Sequence, residues 1–217
     1  MRFGFDRLGP GMTQLLQELG LTRRDLSDAG LAAVARLVAE RDDLTKRLAE
    51  AEQLADRDTL TPTHNRRAFL RELHRTMSEV ERYRTPAAVL YIDLDGFKQL
   101  NDNFGHAAGD AVLRHVGRLL VESVRESDVV GRLGGDEFGI LLNRVPADEA
   151  RAKARLLGEL INNSAIIHAE QAHRVRVSVG VHPIAVVEDP ETAIARADEA
   201  MYADKFAHRA DTAIVAG

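Results

Sequence analysis

The chain of 217 residues has no cysteine, which excludes disulfide staples and thiolate metal sites. It also has no apolar run approaching the roughly 18 residues of a membrane span. The best stretch, Leu31 to Ala39, is broken by Arg36. Met1 to Met12 carry Asp6 and Gly/Pro breaks, and so lack the apolar core of a signal peptide. A basic surplus is missing too: 29 Lys and Arg face 34 Asp and Glu, for a formal net charge of −5. That argues against a duplex nucleic-acid binder, which needs a basic footprint. It leaves room for a nucleotide ligand, because a metal can carry the positive charge. Internal repeats and low-complexity segments are absent. With 45% apolar and 29% charged residues, the chain is expected to be soluble and cytoplasmic, with one domain of ordinary size plus an extension.

Residues 1–57 show no strand pattern and are expected to form a helical segment. Met12 to Leu19 suits a short helix stopped by Gly20, and Thr22 with Asp25 resembles a capping box that starts the next helix. From Leu31 to Asp58 there is neither Pro nor Gly. Val34, Leu37, Arg41, Leu44, Leu48, Ala51 and Ala55 follow alternating steps of three and four, the pattern of a short coiled-coil seam. A helix packed on its own chain would show the same pattern. Residues 58–217 alternate between helix and strand. Phe69 to Val80 and Val112 to Val124 mark helix faces, and Ala87 to Asp95 reads as a buried strand ending in acids. Val175 to Val181 alternate strictly as a half-buried strand, and Pro190 opens a last helix. The expected architecture is α+β, with helices packed on one face of a largely antiparallel sheet.

Three constellations carry chemistry. In Gly134-Gly135-Asp136-Glu137-Phe138, apolar runs on both sides of a Gly pair read as a β-hairpin with two acids at its turn. Gly134 and Gly135 let backbone approach a ligand closely, and the carboxylates attract a hard cation. In Asp93-Leu94-Asp95-Gly96-Phe97-Lys98, a carboxylate ends a buried strand, where a backbone carbonyl becomes a further oxygen ligand. The N–H groups after Gly96 and the Lys98 charge suit a triphosphate. An EF-hand is excluded because Phe97 occupies a ligand position and Lys98 replaces the required Gly. In Asn101-Asp102-x-x-Gly105-His106-x-x-Gly109-Asp110, carboxylate and amide groups can read a purine edge, although Asp110 could instead cap a helix. Asp93 and Asp136 can share a metal only if their strands are neighbours.

These motifs resemble the GGDEF-domain family of diguanylate cyclases. The resemblance runs from Asp58 to about Arg209. It includes Asp58-x-Leu60-Thr61…Asn65-Arg66-Arg67, Val177-Ser178-Val179-Gly180 and Ala197-Asp198-x-Ala200-x-Tyr202-x-x-Lys205. It implies a palm-like fold, shared with nucleotidyl cyclases and polymerases, with flanking helices. It also implies condensation of two GTP into cyclic di-GMP with release of pyrophosphate. By matching positions, Asp93, the Leu94 carbonyl, Asp136 and Glu137 would hold Mg²⁺ or Mn²⁺, with Asp136, Glu137 and Lys98 catalytic. Asn101 and Asp110 would read guanine. Phe97, Lys98, His106, Gly134, Gly135, Lys205 and Arg209 would complete the substrate site. Arg125 and Asp128 match an RxxD product-inhibition site, placed by its spacing near the hairpin.

Each domain of this kind holds one GTP, so the resemblance implies a homodimer, which a seam through Leu37, Leu44 and Leu48 would favour. The same helix could dock an unidentified protein partner. A different class, a catalytically silent module that binds cyclic di-GMP, would not need Asp93, Asp136 and Glu137. Four positions depart from the family pattern: Pro62 and Thr63 stand where Gly and Leu are usual, and Asp204 and His208 where Ala and Gly are usual.

Overall fold

A computed structural model of the chain describes residues 10–215, without the side chains of residues 10, 49–54, 204 and 206–215. It divides into two compact units, Met1–Ala55 and Asp56–Gly217.

In the first unit, α1 (Pro10–Glu18) ends before Gly20, whose φ of 66° turns the chain. Thr22 and Asp25 make the expected box: the Thr22 N–H and hydroxyl donate to Asp25 Oδ2 at 2.7 and 2.6 Å. The box opens only a single 3-10 turn (Arg23–Asp25), however, and Leu26 returns to extended backbone. The long helix α2 (Asp28–Ala55) starts afresh, with the Ser27 hydroxyl accepting the Gly30 N–H at 3.1 Å. α1 lies close on α2, since a Cβ at Gly11 would stand 3.2 Å from both Val38 and Arg41. That contact leaves Leu37, Leu44 and Leu48 uncovered, at 62, 55 and 59% exposure.

The second unit is built on a five-stranded sheet. Its strands are β1 (His64–Asn65), β2 (Ala87–Asp95), β3 (Val129–Arg132), β4 (Glu137–Asn143) and β7 (Arg176–Ile184), in the order β1-β3-β4-β2-β7. β1 runs parallel to β3 and every other neighbouring pair is antiparallel. A separate hairpin, β5 (Ile166–His168) with β6 (Gln171–His173), turns through left-handed Ala169 and Glu170.

The sheet is covered on both faces, which corrects the one-faced arrangement expected from the sequence. Along β2, Ala88, Leu90, Ile92 and Leu94 pack with α5 (His106–Glu122) and α6 (Ala147–Asn162). Ala87, Val89 and Tyr91 pack with α3 (Arg66–Tyr83) and α7 (Pro190–Val215). The unbroken apolar run of β2 has this cause: a strand buried on both faces has no polar side to alternate with.

A row of glycines sets how close the second layer comes. Gly131 and Gly139 are cross-strand partners, and a Cβ on either would meet the Phe69 ring of α3 at 2.7–2.8 Å. Beyond Tyr91, a Cβ at Gly180 would stand 2.0 Å from the Ala197 carbonyl oxygen of α7. Only bare backbone admits α7 at that distance, and α7 carries Lys205 to the strand ends. Among the described residues, no helix is long and apolar enough to cross a membrane.

Candidate active site

β2 lies between β4 and β7, so its C-terminal acids meet the start of β4. Register pairs Asp93 with Glu137, and the Leu94 N–H donates to the Asp136 carbonyl at 3.3 Å. The condition for a site shared by Asp93 and Asp136, neighbouring strands, is met. From α7, the Lys205 ammonium lies 2.6 Å from both Asp93 Oδ2 and Asp95 Oδ1. The Ser178 hydroxyl of β7 reaches the Asp95 carboxylate at 3.1 Å. Asp95 thus seats the lysine, a role its position alone did not reveal.

The electrostatics are unbalanced toward negative charge. Burial, then the charges of Asp93 and Glu137, push the Asp136 carboxyl above its ordinary pKa, against its own N–H and Lys205. Desolvation, then Glu137 and Asp93, do the same to Asp198 on α7. Burial by itself would lower Lys205, but the hydrogen bonds it donates to Asp93 and Asp95 and their charges hold it above its usual value. The Tyr91 hydroxyl is pushed up by burial and by its hydrogen bond to Glu137. The sequence assigned no site role to Tyr91 or Asp198. Both become visible only when β4 and α7 close over β2.

These groups fit a divalent cation. Asp93, Asp136 and the strand-end carbonyl of Leu94 are hard oxygen donors, and mutual repulsion of the acids is what a dication would relieve. Among the described residues no three Asp, Glu or His side chains converge on one point. Glu137 is set apart from them. Its carboxylate folds back over the turn, where a Cβ at Gly134 would stand 2.0 Å from Oε2. Gly134 makes room for that carboxylate, and Tyr91 holds it.

The second cluster lies on α4 (Phe97–Phe104) and α5, joined at Gly105 with φ 83°. Asn101 Oδ1 is buried without a hydrogen-bond partner, and lies 2.0 Å from where a Cβ at Gly109 would stand. A buried carbonyl left unpaired is an acceptor open to a donor from a ligand or a water. Asp110 lies in the second turn of α5, 3.6 Å from Arg114, and so does not cap the helix. His106 and Lys98 are exposed. The Phe97 ring packs toward Gly109 and the core, so it does not face solvent as a ligand contact. The Arg209 side chain, with those of Asp204 and His208, lies outside the described residues.

Arg125 and Asp128 stand apart from the acids. Asp128 Oδ2 accepts the Arg125 N–H at 3.1 Å and Oδ1 accepts the Asn143 N–H at 3.0 Å. Asn143 is the last residue of β4 and Glu137 the first, so this turn sits about 20 Å along the strand from the hairpin tip. Nearness in sequence to Gly134 is not nearness in space. Both Asp128 oxygens hold backbone, while Arg125 is exposed.

The departures at the joint have a structural account. Thr63 is fully buried, and its hydroxyl lies 2.8 Å from that of Thr61 and donates to the His64 carbonyl at 3.2 Å. Thr61, Pro62 and Thr63 seat against Gly117 of α5, where a Cβ would meet them at 3.1–3.4 Å.

The profile of the family described as "Diguanylate cyclase, GGDEF domain" matches residues 55–211. The chain is 36% identical over 189 residues to the probable diguanylate cyclase DgcE of Escherichia coli, covering 85% of this chain and 17% of that one. It is 34% identical to the response regulator PleD of Caulobacter vibrioides, covering 77% of this chain and 38% of that protein. It therefore spans well under half the length of these curated relatives. Diguanylate cyclase SiaD of Pseudomonas aeruginosa, solved with its activator SiaC, superposes with a TM-score of 0.71 at 30% identity, covering 90% of this chain and 76% of that one. The coiled coil and GGDEF domain of DgcB from Caulobacter crescentus, solved with c-di-GMP, gives 0.71 at 28%, covering 81% and 94%. With the acids, the lysine and the open amide on one scaffold, the chain belongs to the GGDEF-domain diguanylate cyclase family.

Proposed function

We propose that the chain condenses two GTP into cyclic di-GMP. The 3′-oxygen of each GTP attacks the α-phosphorus of the other. Two P–O bonds form, two to pyrophosphate break, and two pyrophosphates leave. The observation that carries this reading is the meeting of Asp93 and Asp136 at the ends of adjacent strands, with Lys205 paired to Asp93 and Asp95 beside them. Asp93, Asp136 and the Leu94 carbonyl would hold a divalent cation, Mg²⁺ or Mn²⁺. Bound there, it supplies charge neutralisation at the phosphates and a lowered pKa for the attacking hydroxyl.

The remaining roles fall to the chain itself. Asn101 and Asp110 read the guanine edge. Amides at the α4 N-terminus with Lys98, Gly134, Gly135, Lys205 and Arg209 steady the triphosphate. Glu137, held by Tyr91, accepts a proton or adds an acidic ligand. One GTP per copy requires two copies face to face, and the exposed Leu37, Leu44 and Leu48 row of α2 suits a second α2. Residues 1–57 then serve as the dimerisation and signalling segment, and 58–217 as the catalytic domain. SiaD, solved with its activator, offers a precedent for a protein partner. Product feedback would rest mainly on exposed Arg125, because Asp128 is occupied by backbone.

The test is incubation with GTP and Mg²⁺ followed by nucleotide chromatography. Asp136→Ala and Glu137→Ala are each expected to lower turnover at least about 100-fold with the circular dichroism spectrum unchanged. Retained turnover in both overturns the metal-site assignment. Failure of the unaltered protein to make product at high concentration overturns the cyclase in favour of a cyclic di-GMP-binding module. Arg125→Ala is expected to let product accumulate without slowing the reaction, and unchanged inhibition excludes that site.

A further inference from the structure

We infer that Arg132 is a positioning residue for Asp136, and that Asp58, at the joint after the N-terminal helix, holds it in place. The inference rests on the cyclase reading above. Arg132 is the last residue of β3, and its side chain is only 16% exposed. Its Nη2 and Nε donate to the Gly135 carbonyl at 2.6 and 3.2 Å, and its Nη1 donates to Asp58 Oδ1 at 3.3 Å. A guanidinium can hold two acceptors in one plane, which an ammonium cannot.

The consequence follows from peptide geometry. A trans peptide is planar, so fixing the Gly135 carbonyl toward Arg132 points the Asp136 N–H the opposite way. That N–H meets the carboxylate of Asp136 itself. On the other side, the Asp136 carbonyl accepts the Leu94 N–H at 3.3 Å. Both peptide planes flanking Asp136 are therefore tied, one by β2 and one by Arg132. The clamp has work to do at this point, because Gly135 has no neighbour within 4 Å of a Cβ position to restrain it. Two residues before Gly135, the Leu133 carbonyl accepts from Arg66 Nη1 at 3.3 Å, so the turn is gripped twice.

Asp58 is itself over-determined. Its Oδ1 accepts the Leu60 N–H at 3.2 Å, the Thr61 N–H at 2.8 Å and the Thr61 hydroxyl at 2.7 Å. A shift of the joint moves Oδ1, hence the guanidinium, hence the Gly135–Asp136 peptide. One side chain thus links the residues that follow the N-terminal helix to a candidate metal carboxylate.

The test compares the unaltered chain of 217 residues with Arg132→Met, Arg132→Lys and Asp58→Asn, by Mn²⁺ titration calorimetry and GTP kinetics. Charge alone predicts that Arg132→Met tightens Mn²⁺ binding, since a cation has been removed near the acids. The clamp predicts the reverse: Mn²⁺ affinity falls about 10-fold in both Arg132 variants and kcat falls about 10- to 100-fold, with KM for GTP within about twofold. Asp58→Asn keeps an oxygen for the Leu60 and Thr61 amides, and is expected to show a smaller loss in the same direction. Unchanged or tighter Mn²⁺ binding in Arg132→Met overturns the proposal, as does a lowered melting temperature without a change in Mn²⁺ affinity. The cyclase reading is judged separately by product from the unaltered chain, because the affinity ratio needs no turnover.

Discussion

Asn101 and Gly109 show how one missing side chain can prepare a site. The Asn101 carboxamide occupies the space a Cβ would take, and its oxygen is buried without a donor. Gly109→Ala is expected to push the flexible amide aside, raising KM for GTP about 10-fold, with stability changed by less than about 1 kcal/mol. Gly180→Ala presents a different obstacle, because its Cβ would meet α7 backbone rather than the far end of a side chain. It is expected to cost more than about 2 kcal/mol. Steady-state kinetics and urea unfolding of the two variants separate these outcomes, and equal stability loss in both would refute the distinction. Glu137 makes the same point. The Gly-Gly pair was legible as a turn, but that Gly134 leaves room for the Glu137 carboxylate was not, because the fold-back is a matter of rotamer and register.

At the scale of elements, the joint between Asp56 and Asn65 is a folded structure with its own ion pairs. Asp56 is buried and accepts from Arg67 and Arg71 of α3, chiefly Arg71, which holds its carboxyl below the usual range. Burial alone would raise Asp58, but donation by the Thr61 hydroxyl and amide, with the Arg132 charge, outweighs it and lowers the pKa below 3.8. The sign follows. A carboxyl whose folded pKa lies below its unfolded one stabilises the fold above the unfolded value and loses that contribution as pH falls through the folded one. The melting temperature of the unaltered chain should therefore drop steeply below about pH 4, and that of Asp58→Asn less steeply. Parallel calorimetric curves between about pH 5 and pH 2.5 would count against a charged role for Asp58. The periodicities of α3, β2, α5 and β7 were legible, as was the start of α7 at Pro190. The two-residue β1 and the β5–β6 hairpin were not, because so short a stretch has no period to read.

For the whole molecule, activity should depend on a second copy. Leu37, Leu44 and Leu48 leave an apolar row on α2, and burying three leucines in a seam is worth several kcal/mol before association costs. Leu44→Asp should shift the sedimentation equilibrium toward monomer and lower specific activity at least about 10-fold at nanomolar protein, with recovery at high concentration. Specific activity independent of dilution in that variant would refute α2 pairing. The RxxD turn and the acids lie at opposite ends of β4. A ligand held by Arg125 would therefore not occupy the acid site.

The sequence by itself determined what is local. It placed the turn at Gly134-Gly135, the acids at strand ends, the helices and their apolar faces, and the polar run from Asn101 to Asp110. Each follows from side-chain type and period within a few residues. Tertiary structure alone decided which of these meet. Strand order put β2 between β4 and β7 and so joined Asp93 to Glu137 and Asp136. A glycine at position 180 admitted α7 and brought Lys205 to Asp93 and Asp95. The same order covered both sheet faces with helices, carried Asp128 to the far end of β4, and linked Asp58 through Arg132 to the Gly134-Gly135 turn. Contacts across 74 and 112 residues, such as Asp58–Arg132 and Asp93–Lys205, depend on pairing and packing between elements, which no local pattern encodes.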